Sequence, residues 1–214
     1  MGSRTLPGSL AGKAYLLGYD LGRQKATGGE LAQVVRGAVI AELNLRGCLT
    51  PDEGKVRASG TERTGDPVLD DVLRGMSEDK PRSWRSLVRR NASKTLCAVR
   101  RQLASAGVVT VEADRVLGIF PRTTVTVPNP EPVRKLQESV RTVVSGTGRV
   151  STEDAVLVAL ADIGQLNPTL PRSDRKAHAA RIKELTEQAK AAVPALSAAL
   201  QQIKSARSAK QSGG

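Results

Sequence analysis

Two groups of charged residues carry the chemistry this chain has to offer. The first is a set of ions inside an apolar run, residues 34–48: Arg36, Glu42 and Arg46, with a glycine directly after each arginine. On a helix, Leu31, Val35, Ala38, Val39, Glu42 and Leu45 share one arc while Ile40 and Ala41 take the far side, so the helix is buried nearly all round. A buried ion is costly unless it is paired or bound, so each of these charges needs a structural partner or a ligand. Glu42 and Arg46 stand four residues apart in the favourable order, which predicts an internal ion pair. Arg36 stands at the helix start, where exposed N–H groups favour an anion. It reads either as a phosphate ligand or as an ion paired with Asp20 or Glu30.

The second group is a basic run. Between residues 80 and 110 there are eight basic residues and no Asp or Glu, within a chain whose net charge is +12 and whose pI is near 10.3. Guanidinium forks grip oxyanions bidentately and lysine adds a point charge, so phosphate is the chemistry such a run suits. On a helical wheel Arg90, Lys94 and Arg101 fall within about 40° of one another, with Leu96, Val99, Leu103 and Ala106 on the other side. A solvated helix face is the plainer reading of the same ridge.

Other reactive side chains lack the company that chemistry requires. Asp66, Asp70 and Asp71 read as N-cap and first-turn acids rather than a metal cluster. Cys48 and Cys97 form no CxxC, and His178 is the one histidine, so neither a zinc site nor a disulfide is expected; both cysteines read as buried packing residues. Trp84, beside Leu87 and Val88, reads as core. With no nucleophile elbow, P-loop or GxGxxG, the expectation is a protein that is not an enzyme and takes no cofactor or metal.

The elements that must position these residues are mostly helical. Aromatic residues make up 2% of the 214, so the core must be aliphatic. A short helix near Leu10 to Leu17 precedes the buried one, read from about Glu30 to Arg46 and closed by Gly47. "CLTPDEGKVRAS" reads as a small hairpin or irregular arm, and "TGDPVLDDVL" as a helix start with Thr64 or Asp66 as the N-cap and Pro67 in first position. Residues 82–120 read as helix, helix and β-hairpin, with Ser83 and Gly107 as caps and strands at 108–111 and 115–120 around the turn "EAD". The C-terminal third is helical, with a break at Pro194 in 172–207. The expected organisation is one mainly α domain over 1–207 and a disordered tail over 208–214. No apolar run is long enough to span a bilayer and the N-terminus lacks a signal-peptide layout, so the expected location is cytoplasmic. Two partners fit: a membrane surface, with Val116, Leu117, Ile119 and Phe120 entering it, or a nucleic acid gripped by a winged helix. The hairpin brings only Arg115 and Arg122 to a wing, which favours the membrane.

Several stretches, in order and covering nearly the whole chain, resemble the Golgi phosphoprotein 3 family: "LLGYDLGR", "VRGAVIAELNLRGCL", "TGDPVLDDVL", "SWRSLV", "VRRQLASAGVVT" with its apolar hairpin, "PVRKLQESVRTVV" and "DAVLVALADIG". The resemblance implies a compact helical domain around a buried apolar helix, with a protruding β-hairpin and no enzymatic activity. Eukaryotic members bind phosphatidylinositol 4-phosphate on Golgi membranes and link glycosyltransferases to vesicle coats. Their head-group pocket uses an arginine that corresponds to Arg36. It also uses a tryptophan where this chain has Thr27, and two basic residues where it has Ser93 and Leu96. Lys94, Arg90 and Arg101 are the nearby candidates to supply that charge. The expectation is a non-enzymatic adaptor, peripherally associated with membrane through an anionic phospholipid head group and self-associating through the hairpin.

Overall fold

Helix α2 (Leu31–Leu45) is the axis of the computed structural model, which describes residues 8–28, 30–53, 55–60, 63–77, 81–116 and 120–212. Its near-continuous apolar sequence has a direct consequence: every residue from Val34 to Leu43 is buried, so the helix needs neighbours on all sides. Those neighbours are α1 (Leu10–Leu17), α3 (Pro67–Ser77), α4 (Trp84–Arg89), α5 (Ala92–Ser105), α7 (Thr152–Ile163) and α10 (Pro194–Ser212). The glycine after Arg36 permits one of these approaches. A Cβ on Gly37 would meet the Ala199 Cβ of α10 at 3.3 Å, a contact that a bulkier residue would force apart.

Helix ends follow the caps written in the sequence. Gly47, at φ +69°, closes α2: its N–H donates to the Asn44 carbonyl and that of Cys48 to Leu43, the two bonds of a Schellman motif. Gly107 does the same for α5, with Gly107 bonded to Ala104 and Val108 to Leu103. Ser9, Ser83 and Ser151 cap α1, α4 and α7 through their hydroxyls. The remaining helices are α6 (Glu131–Ser145), α8 (Arg172–Ala177) and α9 (Ala179–Ala192).

Three antiparallel hairpins complete the described fold: β1 (Tyr19–Asp20) with β2 (Lys25–Ala26), β3 (Leu49–Asp52) with β4 (Lys55–Ala58), and β5 (Thr110–Val116) with β6 (Phe120–Thr126). The core is aliphatic apart from Tyr15 and Tyr19, both fully buried. The Tyr19 hydroxyl donates to the Val125 carbonyl at 2.7 Å, tying the base of the third hairpin to the start of the chain.

Four sequence expectations change. "EAD" is strand rather than turn: Glu112, Ala113 and Asp114 pair with Thr124, Thr123 and Arg122, because the β-branched run after Pro121 supplies a partner strand. Val116 pairs with Phe120 and closes the ladder; Leu117 and Ile119 lie outside the described residues. The C-terminal helical stretch breaks at His178 as well as at Pro194. Helix α10 continues to Ser212, through the helix formers Ala209, Lys210 and Gln211, past the helix end read at about 207. Cys97 is exposed on α5 and Cys48 half-buried, so neither is the buried packing residue expected.

Candidate anion-binding site

The Glu42 end of α2 is closed within the chain. Arg46 Nη2 lies 2.5 Å from Glu42 Oε1, and the other carboxylate oxygen accepts the Leu10 N–H at 2.9 Å, satisfying a donor that the first turn of α1 leaves over. Burial pushes the Glu42 carboxyl above its ordinary value, with Arg46 opposing the shift.

The Arg36 end is different. Arg36 is 5% exposed, yet among the described residues it forms no ion pair. Its Nε donates to the Leu87 carbonyl of α4 at 2.9 Å and its Nη1 to the Thr95 hydroxyl of α5 at 3.0 Å. These neutral acceptors take the place of the Asp20 or Glu30 carboxylate anticipated above. Burial pulls its pKa down to about 10, with Asp71 opposing and Arg90 assisting, and the guanidinium stays charged at neutral pH.

Above that guanidinium opens a cavity of about 340 Å³ between α3, α4 and α5. Its described lining includes five cations, Arg36, Arg74, Arg82, Arg90 and Lys94, and one carboxylate, Asp71, a net charge of +4. Arg90 and Lys94 of the basic run are therefore brought together with Arg36. Arg90 arrives by a different route from the wheel: α4 ends at Arg89, Asn91 turns the chain at φ +56°, and α5 starts at Ala92. Arg101 is exposed on α5 and does not line the cavity. Seven residues past Lys94, it shares an angle but stands about 10 Å further along the axis. Its neighbour Arg100 lies over the Tyr15 ring instead, 5.5 Å from the centroid.

Of the other two cations in the lining, Arg82 belongs to the basic run and Arg74 carries no local signal. Arg74 belongs to α3, which packs across α2 and α5. Arg82 is held by backbone bonds to Val56, N to O at 2.8 and 3.2 Å, which dock the segment before α4 against β4. The three acids near α3 also separate. Asp66 caps the helix by accepting the Val68 and Leu69 N–H groups. Asp70 accepts from the Thr64 N–H and hydroxyl, bonds that hold its carboxyl below the ordinary range. Asp71 faces the cavity.

The other positions that the resemblance singles out contribute little here. Thr27 donates its hydroxyl to the Gly18 carbonyl away from the cavity, Ser93 is exposed, and Leu96 packs half-buried against the core. Trp84 is half-buried against the core and also lines a second groove, of about 660 Å³, between α4, α7, α9 and α10. Among the described residues no group of His, Cys, Asp and Glu is arranged to hold a metal ion, and no helix is long and apolar enough to cross a membrane.

Residues 10–203 match a family model described as Golgi phosphoprotein 3 (GPP34). No curated protein matches the chain.

Proposed function

The chain belongs to the Golgi phosphoprotein 3 family, and from that premise we propose that it is a peripheral, non-enzymatic membrane adaptor whose Arg36 cavity holds the phosphate of an anionic phospholipid head group. The observation that carries this reading is the condition of Arg36: a buried guanidinium bonded to two neutral acceptors, facing a cavity whose described lining carries more cations than carboxylates. Removing an ion from water without a counter-ion is expensive, and a phosphate returns the compensation through charge-assisted bonds. The volume is that of a small-ligand site, and Arg90 and Lys94 stand exposed at its mouth to meet a surface. Phosphatidylinositol 4-phosphate is the head group known for the family. The apolar sequence Val116, Leu117, Ile119 and Phe120 would enter the interface or join a second copy.

Vesicle co-sedimentation tests the proposal. Vesicles carrying phosphatidylinositol 4-phosphate or another anionic lipid should retain the protein and neutral phosphatidylcholine vesicles release it. Equal retention by both kinds, together with tight binding to duplex DNA, would transfer the basic surface to the nucleic-acid reading.

A further inference from the structure

Of the three acids near α3, Asp66 and Asp70 hold backbone N–H groups, and Asp71 meets only cations. It neither caps the helix nor braces Thr64. Its Oδ1 lies 3.3 Å from Arg74 Nη1 and its Oδ2 3.8 Å from Lys94 Nζ. Its charge is also felt by Arg36 at the cavity floor. It is the one anionic side chain in the described lining, and its oxygens meet two of the lining cations, Arg74 and Lys94.

The geometry points to Asp71 as a resident counter-ion, which steadies the empty cavity against the mutual repulsion of its cations and competes with phosphate for them. This rests on the phosphate-binding reading of the cavity. The contacts suit an exchangeable partner: they are long, and the side chains are substantially exposed, 44% for Asp71, 65% for Arg74 and 69% for Lys94. Such pairs are weak and reform readily around another anion. A phosphate monoester offers up to two charges and three acceptor oxygens against one charge and two oxygens, so it displaces the carboxylate. Repulsion from the carboxylate scales with the charge of the ligand. Removing it therefore helps a dianionic monoester more than a singly charged diester.

The consequence is a pair of effects with opposite signs. Asp71→Asn should bind phosphatidylinositol 4-phosphate vesicles about fivefold more tightly than wild type, the scale of one partly screened charge. The gain on phosphatidylglycerol vesicles of matched surface charge should be smaller. In phosphate-free buffer the variant should melt below wild type, and inorganic phosphate should raise its melting temperature more than that of wild type if free phosphate is also a ligand; a gain confined to vesicles assigns the site to lipid alone. Asp71→Glu, which restores a carboxylate, should return affinity toward wild type. Affinity and melting temperature falling together in Asp71→Asn would make Asp71 a support for the cations and overturn the inference, as would no change in affinity. Failure of both proteins to prefer anionic vesicles would remove the phosphate-binding reading itself.

Discussion

The two ends of α2 solve the same problem in opposite ways. Glu42 and Arg36 are each 5% exposed, six residues apart on one helix, and each carries a full charge into an aliphatic core. Glu42 meets its countercharge one turn on, in Arg46, and gives its second oxygen to the backbone of α1. Arg36 meets a carbonyl and a hydroxyl, and it lines a cavity whose other described charged residues are four cations and Asp71. A charge neutralised within the chain serves the fold. One that is hydrogen-bonded but not neutralised serves the fold and leaves room for a ligand.

The comparison breaks most sharply at Arg36. Arg36→Ala should lower stability by about 3 kcal/mol, because the Leu87 carbonyl and Thr95 hydroxyl lose a charged donor, and should weaken binding to anionic vesicles by at least about tenfold. Chemical denaturation and co-sedimentation read the two effects separately. At the other end, Glu42→Ala should lower stability by about 2 kcal/mol, since the Leu10 N–H is stranded while the partly exposed Arg46 is resolvated, and should leave vesicle affinity unchanged. A loss of vesicle binding in a folded Glu42→Ala protein would erase the distinction between the two ends.

Smaller effects sharpen it. Arg90→Gln or Lys94→Gln should each weaken vesicle binding by about fivefold, the worth of one cation near an anionic surface. The smallest effect is one of pH. The folded protein holds the Glu42 proton more tightly than the unfolded chain, whose ordinary value is 4.5, so burial penalises the ionised carboxylate at pH above the raised folded value. That penalty is relieved as pH falls through the raised folded value toward 4.5. Wild type should therefore gain stability relative to Glu42→Gln as pH falls through that window, which denaturant titrations at a series of pH values would read.

The closed end of the helix was legible in the sequence and the open end only partly. Glu42 and Arg46 are neighbours on one helix face, so spacing alone pairs them; Asp66 before Pro67, and Gly47 after α2, mark helix ends by local chemistry in the same way. The cavity is assembled from α2, α3, the segment before α4 and the α4–α5 junction, which are far apart in the chain. A wheel assigns an angle and no height, so it groups Arg101 with Lys94 and gives no hint of Arg74. It also treats 90–101 as one rod, where Asn91 in the left-handed region turns the chain and still delivers Arg90 to the cavity. The "EAD" turn failed for a related reason: the residues that make it strand lie across the hairpin, at 122–124.

Trp84 is the chain's one tryptophan, and it opens the short helix whose Leu87 carbonyl accepts from Arg36 and whose end delivers Arg90 to the cavity. Its indole is half in the core and half in the neighbouring groove, a boundary that governs both emission wavelength and quenching. The molecule thus carries a native optical gauge on the element whose Leu87 and Arg90 flank the cavity: steady-state emission, excited beyond the tyrosine band, reports on the surroundings of α4 with no label attached.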